Sequence, residues 1–125
     1  MTTPAWRIEL LGWLRAARGP LVHTKFSTQK TASLLGYLAL HPGATFTRED
    51  LVEMLWPEAP AGTGRHNLRT ALYALRRALE PPDVDAGSVL SADRDSVRLA
   101  ADAFTTDVAD FKRAATEAEI GRAHV

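Results

Sequence analysis

Between Gly64 and Leu79 the chain sets arginine, histidine, threonine and tyrosine against a row of leucines. Leu68, Leu72, Leu75 and Leu79, with Ala71, recur at helical spacing and define one apolar stripe. At about 100° per residue, His66, Thr70, Tyr73 and Arg77 fall on the opposite side, and Arg65, Arg69 and Arg76 lie along one flank. No acid interrupts the stretch until Glu80. A solvated helix face usually mixes both signs, because opposite charges one turn apart support each other. A helix with an apolar back and this front suits a DNA groove, with cations for phosphates and hydrogen-bonding side chains for base edges. An ordinary arginine-rich surface helix fits the same residues, since a basic run identifies nothing without fold context.

The chain that must position this helix has 125 residues, the length of one domain with room for a tail. Lys plus Arg and Asp plus Glu both number 15, so the formal net charge is zero. That excludes a binder that coats nucleic acid with its whole surface, but not one with a local basic face. The charge is uneven: residues 1–30 carry Arg7, Arg15, Arg18, Lys25 and Lys30 against Glu9, while acids outnumber bases beyond residue 100. There is no cysteine, so disulfides and thiolate metal sites are excluded. No apolar run approaches the roughly 20 residues of a membrane span, and the N-terminus lacks a signal-peptide pattern. The expectation is a cytoplasmic protein without a membrane segment.

Trp6-Arg7-Ile8-Glu9-Leu10 alternates apolar with charged, the period of a half-buried strand. Further strands around Trp13–Ala16 and Leu21–Lys25 flank Arg18-Gly19-Pro20, so residues 5–26 read as a small antiparallel sheet. Ser27 or Thr28 caps a helix over Gln29–Leu40, with Thr31, Leu34, Leu35 and Leu38 inward and Tyr37 and Leu40 widening the stripe. Gly36 weakens that helix and points to close approach of another element. His41-Pro42-Gly43 ends it. Thr47 caps a short second helix that turns Leu51, Val52, Leu55 and Met54 inward and stops at Trp56-Pro57. A Pro- and Gly-rich loop, Pro57–Gly64, leads into the basic helix. Ser88–Leu90 and Val97–Leu99, around the polar Ala92–Ser96, read as a hairpin over 88–100. The order is an antiparallel sheet, three helices, then a hairpin. Past Ala100 an amphipathic helix is expected over Val108–Glu119, capped by Asp107, with Val108, Phe111, Ala115 and Ala118 on one face.

That order is the order of an α+β winged helix-turn-helix of the OmpR/PhoB type, with an N-terminal antiparallel sheet, three helices and a C-terminal β-hairpin wing. Leu34-Leu35-Gly36-Tyr37-Leu38-Ala39-Leu40-His41-Pro42-Gly43, Thr47-Arg48-Glu49-Asp50-Leu51, Leu55-Trp56-Pro57 and Asn67-Leu68-Arg69, followed by Leu75-Arg76-Arg77-Ala78-Leu79, strengthen the likeness. Together they resemble the DNA-binding domain of SARP and AfsR-like transcriptional regulators over about residues 5–100. Asp107-Val108-Ala109-Asp110-Phe111 resembles the opening of the helical bacterial transcriptional activation domain, which makes 101–125 its start or a linker helix. The resemblance implies a sequence-specific transcriptional activator that places residues 65–79 in the major groove of promoter DNA and the hairpin near the minor groove. It also implies contact with RNA polymerase through loop 57–64, and tandem or dimeric binding on DNA. The family's wing often ends in Gly-Tyr-Arg-Leu, whereas Ser96-Val97-Arg98-Leu99 stands here. Asp93 and Asp95 flank Arg94, and acids repel phosphate, so weak wing contacts are expected.

Within that frame, His66, Thr70 and Tyr73 are the candidates for base edges or nearby phosphate, with packing on the sheet or wing the alternative for Tyr73, and Arg65 for a groove contact. Arg69, Arg76 and Arg77 suit phosphates, although Arg76 beside the stripe equally suits an ion pair at the core edge. Asn67 borders the face, with satisfying the helix N-terminus as its alternative role. Thr47 and Arg48 open the second helix, where Thr47 reads first as a cap and then as a phosphate contact. Arg94 and Arg98 are the wing candidates. Lys25 and Lys30 suit flanking phosphates or a solvated face equally well. Trp6, Trp13 and Trp56 read as core. An enzyme is not expected: His23, His41, His66 and His124 lack metal-ligand spacing, no nucleophile or phosphate-loop motif occurs, and no cofactor is implied. The rival to DNA binding is a winged helix that docks protein, which zero net charge and the acidic wing tip favour.

Overall fold

The computed structural model describes residues 6–123, with side chains described through Glu119; Ala5, His124 and the end of the expected 101–125 segment lie outside them. Three strands, β1 (Trp6–Glu9), β2 (Arg15–Arg18) and β3 (Leu21–His23), pair antiparallel, with Arg7 opposite Ala17 and Ala17 opposite Val22. Then come α1 (Gln29–Leu40), β4 (Thr45–Thr47), α2 (Arg48–Leu55), α3 (Ala61–Leu79), β5 (Leu90–Ala92) and β6 (Ser96–Leu99). A 3-10 turn at Ala101–Ala103 leads into β7 (Phe104–Thr106) and α4 (Asp107–Ala123). The architecture is an α+β winged helix with two sheets, ordered β3-β2-β1-β7 and β4-β6-β5.

Two strands extend the expected pattern. β4 pairs with β6, Thr47 opposite Ser96, and turns the hairpin into a three-stranded wing sheet. Its Thr-Phe-Thr alternation reads as a strand only once β6 lies beside it. β7 runs parallel to β1, Trp6 opposite Phe104, so the N-terminal sheet takes in residues beyond 100. β2 starts two residues later than the spacing predicts. Gly12 adopts φ +93°, and Trp13 is carried out of the core to 91% exposure. Trp6 is fully buried and Trp56 half-buried.

The core lies where the apolar stripes of the three helices meet the inner faces of both sheets. Thr31, Leu34, Leu35 and Leu38 of α1, Leu51 and Leu55 of α2, and Leu68, Leu72, Leu75 and Leu79 of α3 are buried with Leu90, Val97 and Leu99. Leu40 and Met54, expected inward, are exposed. Thr28 caps α1 by accepting from the Thr31 N–H, and Thr47 caps α2 by accepting from Asp50 N–H, each at 3.0 Å.

α3 begins four residues before the expected start. Ala61–Gly64 form its first turn, and the connection from α2 shrinks to residues 56–60. Gly64 is buried, and a side chain there would strike Val52 of α2. The sequence points to Gly36 for this close approach, but a Cβ there would meet only Leu10, at an ordinary 3.9 Å. Packing of the apolar stripes overrides the low helix propensity of both glycines.

The far end of α3 is fastened to both sheets. Trp6 Nε1 donates to the Leu79 carbonyl at 2.9 Å and His23 Nε2 to the Ala78 carbonyl at 3.1 Å, satisfying two of the orphan acceptors of a helix end. The Glu80 side chain, 1% exposed, accepts from the N–H groups of Gly87, Val89 and Leu90 and from Arg76 Nη1, all within 3.0 Å. Beyond β7, Thr106 rather than Asp107 caps α4, accepting from Ala109 N–H at 3.0 Å. Asp107 turns back and accepts from Leu10 and Leu11 N–H at 2.7 and 2.9 Å. The expected apolar face of α4 does not reach the core: Phe111 is 64% exposed, and Ala115 and Ala118 are exposed as well.

Candidate nucleic-acid interface

With its C-terminal end clamped, α3 presents one face outward from Arg65 to Arg77. Arg65, His66, Arg69, Thr70, Tyr73 and Arg77 are all exposed, while Leu68, Ala71, Leu72 and Leu75 beneath them are buried. Tyr73 is 63% exposed and lies on the front, with the Arg77 guanidinium 5.8 Å from its ring centroid. The helix is thus divided as its spacing predicts, and its polar front is not pressed into the protein's own interior.

The wing turn and the start of α2 each deliver one more arginine to the same end. Arg48, the first residue of α2, donates from Nε to the Asp93 carbonyl at 2.6 Å, and its own N–H reaches the Asp95 carbonyl at 2.9 Å. These bonds tie the start of α2 to the wing tip. Arg48, Arg65, Arg69 and Arg94 then line one concavity with Leu68. No acid lines it, and none of these four arginines, nor Arg77 or Arg98, has an acidic partner within 4 Å among the described residues. Four unpaired guanidiniums around one hollow repel one another, and an anion placed there offsets that repulsion.

Asp93 has a structural task at the wing tip. Its carboxylate accepts from Asp95 N–H at 2.8 Å and Ser96 N–H at 2.7 Å, and also from the Ser96 hydroxyl. Those donors hold the carboxyl below the usual aspartate range. The side chain closes the turn and stays ionised, with Arg94 exposed at the tip beside it.

Residues 25–92, from before α1 to the end of β5, match the family described as "Transcriptional regulatory protein, C terminal", the OmpR/PhoB-type DNA-binding domain. The chain belongs to this family. No curated protein sequence matches it. Among solved structures, the chain is similar to Mycobacterium tuberculosis EmbR, determined in complex with a low-affinity phosphopeptide. The two share 22% identity with a TM-score of 0.68, over 81% of this chain and 27% of that one. At that identity the likeness establishes the fold, and the chain spans about a quarter of its solved relative's length.

Not every candidate residue of this regulatory domain joins the arginine hollow. Arg76 is turned to Glu80, 2.8 Å away, so the alternative of an ion pair at the core edge is the arrangement found. Thr47 is exposed, and its hydroxyl is the α2 cap. Arg98 is exposed on the outer face of the wing sheet, paired laterally with Thr45 and Ser91, and does not line the hollow. Glu80 is absent from the sequence candidates, although its position four residues after Arg76 is an ion-pair spacing. The roles of Trp6 and His23 at the α3 terminus carry no sequence signal, because they depend on a contact 73 residues away for Trp6 and 55 for His23. Among the described residues, no group of three or more His, Asp or Glu side chains could hold a metal ion, and no helix is long and apolar enough to cross a membrane.

Proposed function

We propose that the chain is the sequence-specific DNA-binding domain of a cytoplasmic bacterial transcriptional activator of the SARP/AfsR-like type. α3 enters the major groove of promoter DNA. His66, Thr70 and Tyr73 meet base edges and adjacent sugar-phosphate, and Arg48, Arg65, Arg69, Arg77 and Arg94 hold phosphates. The observation that carries this reading is the acid-free hollow of Arg48, Arg65, Arg69 and Arg94 beside the exposed front of α3. In this reading Arg98 and Thr47 flank the phosphates and Arg76 positions the helix. The short connection at 56–60 is the surface offered to RNA polymerase, in place of the longer loop 57–64. α4 opens the following helical activation domain, and the protein binds in tandem or as a dimer on DNA.

Selection of bound duplexes from a random pool tests this directly. The expected result is an enriched motif whose affinity falls steeply with salt, as counterion release requires. A folded chain that retains no duplex at low salt contradicts the reading and favours the protein-docking alternative.

A further inference from the structure

A helix of about 10–12 Å diameter fills a major groove about 12 Å wide, so each flank of a recognition helix faces one of the two backbones. The flanks of α3 are not equal. One carries Arg65 and Arg69, joined by Arg48 and Arg94 from neighbouring elements. The other consists of Asn67, Ala74 and Ala78, and α3 supplies it with no cation at all. Left to its own side chains, α3 grips one strand and leaves the other unheld.

The ungripped flank is where α1 comes closest. A cleft of about 310 Å³ opens there, lined by Ser27, Thr28 and Lys30 on one wall and by His66, Asn67 and Thr70 on the other. Lys30 is the only Lys or Arg lining it among the described residues, and no acid does. Lys30 is exposed, has no ion-pair partner there, and its neighbour Lys25 is not part of the lining. The Thr28 hydroxyl is occupied by the Thr31 N–H, whereas the Ser27 hydroxyl meets only the Thr31 hydroxyl, at 3.2 Å. The Asn67 amide makes no side-chain hydrogen bond among the described residues.

We infer that this cleft is a second phosphate site. Lys30 supplies its charge, Ser27 and Asn67 supply hydrogen bonds, and it holds the strand opposite the one held by the arginines. The inference rests on DNA binding through α3 and adds the residues that make the grip two-sided. His66 and Thr70 then sit between two anchored backbones, which fixes how deeply the helix enters.

The test uses the wild-type chain, Lys30→Gln, Lys30→Arg, Lys25→Gln and Arg69→Ala on one selected duplex. Binding is measured across a salt series and phosphate contacts are mapped by ethylation interference. Lys30→Gln is expected to weaken binding about threefold to tenfold and to lower the log–log salt slope by about one. It should erase interference at a phosphate on one strand, while Arg69→Ala erases it on the other. Lys30→Arg should restore the contact, and Lys25→Gln should leave that phosphate unchanged. If Lys30→Gln keeps the wild-type slope and interference pattern while the wild type binds, the second site is wrong and DNA recognition stands. The second site is equally wrong if Lys30→Gln and Arg69→Ala lose phosphates on the same strand. If the wild type binds no duplex, DNA recognition itself fails.

Discussion

Arg69 and Arg76 sit two turns apart on the same flank of α3, and they have opposite circumstances. Arg69 opens onto a hollow with three other arginines and no acid. Arg76 faces a buried carboxylate 2.8 Å away. The first half of the helix is free, and the second half is fastened by Trp6, His23 and Glu80. Residue type and helical flank are the same, so what separates them is Glu80 and the sheets around it. The clamped C-terminal half fixes the direction of the helix, so that binding has mainly the side chains of the N-terminal half left to order.

Removing the clamp should disturb this division most. Glu80→Ala leaves the N–H groups of Gly87, Val89 and Leu90 and the Arg76 guanidinium without their acceptor. It should lower unfolding free energy by about 3 kcal/mol, read by urea denaturation. Gly64→Ala attacks the other half from beneath, by driving a methyl group into Val52. It should destabilise by about 1–2 kcal/mol, whereas Gly36→Ala, with room for a Cβ, should stabilise by about 0.5–1 kcal/mol.

Exchanging each arginine for alanine should separate the two halves further. Arg76→Ala should cost about 1 kcal/mol of stability and leave the salt dependence of DNA binding nearly unchanged. Arg69→Ala should leave stability within about 0.5 kcal/mol and weaken binding to all duplexes alike. Equal effects of both on the salt slope would erase the distinction.

A change of pH should act most weakly. Burial pushes the Glu80 carboxyl up, but the Gly87, Leu90 and Val89 N–H donors and the Arg76 charge outweigh it and hold it below its ordinary 4.5. Desolvation likewise raises Asp107, but the Leu10, Leu11, Val108 and Asp107 N–H groups together outweigh it. A carboxyl depressed by folding stabilises fully above its unfolded value and loses that contribution as pH falls through the folded one. The urea midpoint should therefore hold flat, so far as these groups decide it, from neutral pH down to about 4.5 and fall below it. In Glu80→Gln the Glu80 share of that fall should disappear.

The helices and their buried stripes are legible in the sequence because their periodicity is local: Leu34, Leu35 and Leu38, and Leu68, Leu72, Leu75 and Leu79, are buried as their spacing predicts. So are the exposed front of α3 and the wing hairpin. What escapes depends on distant partners. β4 and β7 are three-residue strands that exist only against β6 and β1. Trp13 looks apolar enough for the core, but Gly12 turns the chain before it and no strand position remains for it. The start of α3 is hidden because Gly62 and Gly64 read as loop until Val52 is known to lie against Gly64. At the wing tip the charge of Asp93 is visible in the sequence, whereas the turn that its carboxylate closes on the backbone is not.

DNA recognition by this fold requires the free half of α3 to carry charge to a duplex. The most direct measurement is the salt dependence of binding to a selected duplex for the wild type and for a chain with Arg48, Arg65, Arg69 and Arg94 all changed to Gln. The wild type should show a steep negative log–log slope and the variant a slope shallower by about three to four, at unchanged folding. Identical slopes for the two folded chains would contradict charge-driven binding through this surface.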